Sequence, residues 1–361
     1  MGRLPKHNRS ALATATAVGG MALASICLSA GAALAEGSVT IASWGGAYQE
    51  AQDKALFQPG AAATGMEVKQ ETYGGMSDVR LKVQAGAVPW DIVSSGSGSA
   101  ARAAEEGLLE PLDYNVIDVS TFYPGLYTPT CVGSDVFSTV LAYNTNTFSE
   151  DKAPKSWADF FNPEQFPGKR AYRDKVSGAL EPAIMGDGVA LADVYKVLDS
   201  EEGINRAIER IRALKPQIAV FWKSGAQHAQ LMKDGEVDMT TGWNGRFDVA
   251  AKDGAKVAYT FNQALLDYDC FAIPKGAPNK DAAMKFLAAI STAEMQANLP
   301  LHITYGPTNK KAYEIGQIDD ALARKMPSHP DNAALQVPIS LEWYAKWEQK
   351  ASQMYQDMLT E

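Results

Sequence analysis

Cysteine and histidine are scarce in this sequence, three and four in 361 residues. With no Cys-x-x-Cys pair, a structural zinc or iron–sulfur site has no evident ligand set. The nucleophile elbow Gly-x-Ser-x-Gly and the His-Glu-x-x-His pair are also missing. His228, His302 and His329 lie far apart in the sequence without evident partners; a Ser–His–Asp set assembled in space stays open, but nothing points to it. Positive charge is in deficit: 33 Lys and Arg face 42 Asp and Glu, a net −9, the wrong balance for a nucleic-acid footprint. Beyond the N-terminus no run approaches the ~20 apolar residues that a membrane span needs. No catalytic site, metal or cofactor is expected.

At the start, Arg3, Lys6 and Arg9 precede a charge-free apolar stretch from Ser10 to Leu34, closed by Ala33-Leu34-Ala35. Basic start, apolar core and A-x-A end read as a secretory signal peptide over residues 1–35, with cleavage after Ala35. A retained transmembrane helix is the alternative, but the stretch holds several glycines and has no basic flank after it. Cys27 follows Ile26, where a lipoprotein would carry a small residue. Cleavage leaves a chain of net charge −12 in the periplasm. Cys131 and Cys270 are then the two cysteines left. In an oxidising compartment such a pair points to one disulfide, two buried thiols being the bland alternative.

The remaining chain is ordinary globular material, 46% hydrophobic and 21% charged, and long enough for one or two cores. Strand, glycine turn and helix alternate three times. Ser38–Ser43 leads into Trp44-Gly45-Gly46-Ala47-Tyr48 and a helix from near Gln49. Met66–Glu71 leads into Tyr73-Gly74-Gly75 and a helix through Arg80. Trp90–Val93 leads into Ser94–Ser99 and a helix over Ala100–Glu106. That rhythm predicts a parallel α/β sheet whose ligand lies beyond the carboxyl ends of the strands. A second region predicts strands at Phe137–Tyr143, Gln217–Trp222, Val237–Trp243 and Val257–Phe261. Its helices are predicted at Trp157–Phe161, Leu191–Leu198, Ile204–Leu214, Asp281–Ala297 and Ser340–Leu359. No linker or repeat divides the two, so two α/β lobes sharing several chain crossings fit better than separate beads.

Gly96-x-Gly98-x-x-Ala101 matches the loose dinucleotide fingerprint, but it follows the third strand rather than the first and no ribose acid follows it. A helix N-terminus offering free N–H groups to a polar ligand is the better reading. Gly242–Arg246 and Leu266–Pro274 both set ionisable residues beside aromatic and glycine positions at strand ends. For Arg246 a surface ion pair is the plain alternative, and for Asp269 a turn or cap.

Read in order, several stretches resemble one family: Trp44-Gly45-Gly46, Pro89–Val93, Ala142–Thr145, Gly235–Asp238, Trp243-Asn244-Gly245, Asp269 ahead of Ala272-Ile273-Pro274, and Tyr305–Asn309. From about Ser38 onward the chain resembles the periplasmic solute-binding proteins of ABC transporters, in the spermidine/putrescine-type branch. The resemblance implies a type II two-lobed α/β fold with a ligand cleft between lobes that close, without catalysis. It places lobe 1 at 36–140 and 270–318 and lobe 2 at 141–269 and 319–361. It implies a monomer that hands a small amino ligand to the membrane permease subunits of an importer. By resemblance Trp44, Gly45, Tyr73, Ser95, Gly96, Trp222, Trp243 and Tyr305 belong to the cleft, and Asp269 is the acid that meets a ligand ammonium.

The departures are informative. Polyamine binders carry further acids in the second lobe, where this chain has Lys175–Gly178 and only Glu181 close by. The aromatic usually two residues before the family acid is replaced by Asp267. A cation, Arg246, stands where a polycationic ligand would tolerate none. Arg246 and Asp269 together suit a zwitterion, a guanidinium fork for a carboxylate and an acid with aromatic walls for an ammonium. This is similar to the 4-aminobutyrate binders of the branch. A polyamine held by Asp267, Asp269 and Glu181 is the runner-up. A ferric-ion binder would want adjacent tyrosines, which the chain lacks, and an exported enzyme on the same scaffold is a remaining class.

Overall fold

The computed structural model describes residues 37–361. The expected signal peptide and its expected cleavage site lie outside the described residues. Ten strands form one mixed sheet: β1 (Ser38–Ser43), β2 (Glu67–Thr72), β3 (Ile92–Gly96), β4 (Tyr127–Thr128), β5 (Cys131–Asn144), β6 (Arg170–Arg173), β7 (Ile218–Trp222), β8 (Met239–Trp243), β9 (Val257–Ala272) and β10 (Val337–Pro338). The path runs β2-β1-β3-β9-β5-β8-β6-β7, with β4 on β5 and β10 on β9. The expected parallel pairings exist at both ends, where β1 pairs β2 and β3, and β6 pairs β7 and β8. The middle is antiparallel, β3 with β9, β9 with β5 and β5 with β8.

Every residue of β5 is buried. Its run Val136-Phe137-Ser138-Thr139-Val140 is the β-branched and aromatic composition that a strand covered on both faces requires. β5 starts at Cys131, six residues earlier than the apolar pattern alone predicts. Gly133 sits in that early part because a Cβ there would lie 2.3 Å from the Leu126 carbonyl oxygen. Cys131 Sγ is bonded to Cys270 Sγ, closing the 139-residue separation.

β9 runs on to Ala272, where the sequence pattern ends a strand at Phe261. The reason is an irregularity: its register against β5 slips between Thr139 and Leu141. At the slip Gln263 takes a positive φ of 60°. Trp157 holds it there, its backbone N–H donating to Gln263 Oε1 at 3.0 Å and its indole N–H to the Gln263 carbonyl at 2.7 Å. The apolar alternation is interrupted at the bulge, so one strand reads as two.

The apolar residues gather in distinct clusters on either side of the β5–β9 pair. One joins Ile41, Phe57, Ile92 and Phe271 to Phe286 and Leu287. Another joins Trp157, Phe160, Tyr172, Ile204 and Ile211 to Tyr344 and Tyr355. Of the predicted helices, the one at Asp281–Ala297 is two, Lys280–Ile290 and Ala293–Asn298, broken where Thr292 caps the second. Leu191–Leu198 begins as a 3-10 turn, and Ser340–Leu359 appears as the helix Leu341–Thr360 capped by Ser340. No helix among the described residues is long and apolar enough to cross a membrane.

Candidate functional site

The turns at the strand ends converge on a cavity of about 450 Å³. Of its acids, Asp267 and Asp269 come from the central ladder and Glu348 from the helix Leu341–Thr360; Asp135, opposite Asp269, does not border it. Asp135 of β5 faces Asp269 of β9 in register, and Asp267 faces Phe137. Two residues apart on a strand, Asp267 and Asp269 share a face. Asp135 is 0% exposed, and its Oδ2 accepts from the Tyr48 hydroxyl at 2.5 Å and from Ser134 at 2.9 Å, while Oδ1 has no partner. Asp269 Oδ2 accepts from the Trp44 indole at 3.0 Å. Asp267 Oδ1 accepts from Ser97 at 2.6 Å and from the Tyr268 backbone at 2.7 Å.

Burial disfavours charge on all three aspartates, and repulsion by neighbouring acids adds to it for Asp135 and Asp269. The Asp135 carboxyl is pushed up to about 7 and Asp267 to about 6, burial being the largest cause in each. Asp269 is raised well above the usual carboxylate range by burial and then by Asp135 and Asp267. Asp269 in particular is favoured in its protonated form until a cation arrives.

The facing cation is Arg246, 3% exposed, in the first turn of the helix Asn244–Lys252 after β8. Both its Nη atoms donate to the Gly45 carbonyl, at 3.3 and 3.4 Å, and its buried Nε has no partner. Its guanidinium carbon lies 5.8 Å from the ring centres of both Tyr48 and Trp243. The turn Trp44-Gly45-Gly46 makes this approach possible. Gly45 and Gly46 have φ of 65° and 58°, and a Cβ on Gly46 would come to 3.2 Å of Arg246 Nη1. Gly225 is needed more sharply, since its Cβ would lie 2.2 Å from Arg246 Nε. No carboxylate of a described residue lies within 4 Å of Arg246.

Aromatic rings wall the space between acids and guanidinium. Trp44 packs on Tyr73 at 5.3 Å, and Tyr305 lies 5.5 Å from Tyr48 and 5.8 Å from Phe137. The cavity can thus take a group bearing both charges and a short apolar stem. Among the described residues no cluster of His, Cys, Asp or Glu could hold a metal ion.

The profile of the bacterial extracellular solute-binding proteins matches residues 55–326. The chain belongs to that family. As a bacterial extracellular solute-binding protein it is similar to a gamma-aminobutyric acid-binding protein of Pseudomonas aeruginosa, 37% identical over 314 residues, covering 86% of this chain and 88% of that one. A binding protein of A. tumefaciens B6 solved in complex with glucopine is 42% identical, with a TM-score of 0.87 over 89% of this chain and 99% of that one. A solved GABA receptor is 32% identical, with a TM-score of 0.78 over 89% and 97%. The spermidine/putrescine-binding periplasmic protein 1 of Haemophilus influenzae is 25% identical over 64% of this chain. These neighbours are two-lobed periplasmic binding proteins, and the relatives are transport proteins rather than enzymes.

Within this solute-binding protein the structure brings together Trp44, Tyr73, Gly96, Trp243, Arg246, Asp269 and Tyr305 around the cavity. Three other expected residues do not border it. Gly45 stands behind and offers its carbonyl to Arg246. Ser95 is fully buried, its hydroxyl turned to the Gly96 carbonyl. Trp222 is also buried; it packs behind Trp243 at 5.4 Å and donates its indole N–H to Thr241. Asp267 does face the cavity. Glu181 does not, being fully buried and bound to the hydroxyls of Tyr195 at 3.0 Å and Tyr344 at 2.7 Å. At the helix N-terminus after Gly96 the Ser97 hydroxyl donates to Asp267, and no side chain caps the helix.

Sequence reasoning passed over Tyr48, Asp135 and Arg173. Asp135 carried a usable signal, an acid amid buried strand residues. Tyr48 was read as part of a glycine turn, whereas the helix Gly46–Gln52 already holds it. Arg173 ends β6, a four-residue strand too short to show alternation.

Proposed function

We propose that this protein is the periplasmic solute-binding component of an ABC importer and captures a small zwitterion of the 4-aminobutyrate type by lobe closure. The observation that carries the reading is that Arg246 and Asp269, at most 7% exposed and without an ion-pair partner, face one aromatic-walled cavity. The buried Arg246 guanidinium left unpaired is costly, and the Asp269 carboxyl ionises when a cation joins it. A ligand carboxylate completes Arg246 and a ligand ammonium completes Asp269, with cation–π support from Trp44 and Tyr73. The gamma-aminobutyric acid-binding relative supports the same reading.

The lobes are those at 36–140 with 270–318 and at 141–269 with 319–361, and the hinge lies at Val140–Asn144 and Tyr268–Ala272. Export follows cleavage after Ala35, and the closed protein, a monomer, docks on the permease subunits. A polyamine fits less well, because Glu181 is committed to two tyrosines and Arg246 repels a second ammonium.

Calorimetry tests the ligand. Replacing the carboxylate by a second ammonium costs at least ~3 kcal/mol, about a hundredfold in affinity, so putrescine binds far more weakly than 4-aminobutyrate. Arg246→Ala weakens 4-aminobutyrate strongly and leaves putrescine unharmed or improved, whereas Asp269→Ala weakens both. Tighter putrescine binding by the wild type together with a silent Arg246→Ala would replace the zwitterion by a polyamine.

A further inference from the structure

The cavity is much larger than a molecule of 4-aminobutyrate requires, falling in the range that houses ligands of drug size. Its far part has its own guanidinium. Arg173, at the end of β6, lies 5.1 Å from the Trp243 ring centre and 5.5 Å from that of Trp222. Trp243 is therefore flanked by two guanidiniums, one shared with Tyr48 and the other with Trp222. Like Arg246, Arg173 has no carboxylate within 4 Å among the described residues. Its Nη1 donates to the carbonyl of Ser177 and, at 3.4 Å, to the Ser177 hydroxyl; Nη2 and Nε donate to no described residue.

Of the other cations at the cavity, Lys175 and Lys223 also lack a carboxylate within 4 Å among the described residues, whereas the two remaining arginines do not. Arg80 and Arg102 are both paired with Glu106, at 2.6 and 2.9 Å, and Arg102 also reaches Glu348. Lys175 adds positive charge beside Arg173. Gly178 keeps the approach open, since a Cβ there would lie 3.3 Å from Arg173 Nη1 and 3.5 Å from Thr139 Oγ1. The β9 acids contribute to both fields: Arg246 feels Tyr305, Tyr48 and then Asp269, and Arg173 feels Tyr344, Asp174 and then Asp267 and Glu181. Asp267 and Asp269 lie one strand repeat apart on β9, roughly 6.5–7 Å.

We propose that Arg173, with Ser177 and Lys175, forms a second carboxylate subsite, and that the preferred ligand is an elongated amine bearing two separated carboxylates. One carboxylate meets Arg246 and the other Arg173, while the amine sits against Asp269 and Asp267 between them. This rests on the reading of the cavity as the ligand site and of Arg246 as the first carboxylate anchor. Each bidentate guanidinium–carboxylate contact fixes position as well as adding affinity, so a single-carboxylate ligand leaves Arg173 uncompensated.

The test is calorimetric titration of the mature protein with 4-aminobutyrate and with iminodiacetate, iminodipropionate and iminodibutyrate. One member of the imino series should bind wild type at least about tenfold more tightly than 4-aminobutyrate, the gain of one charge-assisted contact. Arg173→Met should lower the ratio of that member's affinity to that of 4-aminobutyrate by about tenfold or more, and Arg173→Lys by less. An imino series no tighter than 4-aminobutyrate on wild type, or a ratio unmoved by Arg173→Met, overturns the second subsite. The wild-type comparison decides even where the variant folds poorly. Failure of the zwitterion reading has a different signature, putrescine outbinding every carboxylate probe.

Discussion

Ligand capture should expel a proton. Asp135, Asp267 and Asp269 share one buried patch with Tyr48 and Tyr305, and the cations that face it are Arg246 and Arg173. Without ligand the Asp135 carboxyl is pushed up to about 7. An ammonium seated at Asp269 favours the ionised form of its neighbours and returns that carboxyl toward the ordinary value near 3.9. Between those limits the association constant follows the proton that must leave. Cooling the argument to numbers, one displaced proton lowers affinity roughly a hundredfold from about pH 8 to about pH 5. Stability moves the same acid in the opposite direction. Its folded value lies above the unfolded one, so its stabilising contribution is fully present below about pH 4 and is lost as pH rises through about 7. The ligand-free protein should therefore gain stability from this group on mild acidification while binding 4-aminobutyrate less well. Calorimetry near pH 6 in buffers of different ionisation enthalpy counts the protons, and the Asp135→Asn variant should release fewer than the wild type, Asp269 still giving up its own. No proton release by the wild type, or an unchanged count in Asp135→Asn, would refute the reasoning.

Other outcomes follow from geometry already described. Gly225→Ala drives a Cβ against Arg246 Nε and the Trp243 ring, so 4-aminobutyrate should bind at least about tenfold more weakly, with putrescine affected less; equal losses would mean a general collapse of the cavity. Removing the Cys131–Cys270 bond by double alanine substitution releases a 139-residue loop, and denaturant unfolding should show a loss of up to about 4–5 kcal/mol. Titration of the denatured, unreduced mature protein should find no free thiol, and two equivalents would contradict the bond. Saturating ligand should change tryptophan fluorescence through Trp44 and Trp243 and reduce the radius of gyration by small-angle scattering; an unchanged profile would count against closure.

What could be read in advance was what local chemistry controls. The glycine turns after β1 and β2 announced themselves, because positive φ at Gly45, Gly46 and Gly75 leaves a mark in composition. Arg246 and Asp269 were legible as opposite charges beside aromatics at strand ends. The disulfide was legible because few cysteines leave few choices. The acid triad was not, since it depends on the β5–β9 register bringing Asp135 opposite Asp269, and register lies beyond any single segment. Arg173 escaped for the same reason: its place beside Trp243 comes from β6 pairing with β7 and β8. Trp222 shows the converse, a residue whose type suited the cavity wall but whose strand turns it into the layer behind.

Under the proposed export, the bond between Cys131 and Cys270 also bears on how the chain is assembled. Past Ala35 the sequence holds these two cysteines and no other, so a single pairing is available and no wrong partner exists within the molecule. Cys131 must wait as a thiol while the next 139 residues emerge, and the strands that bring Cys270 beside it close only then. An oxidant is sufficient for this maturation and a disulfide isomerase has nothing to correct. The covalent step therefore reports that β5 and β9 have met, and the appearance of the oxidised form can serve as a clock for the joining of the two halves of the chain.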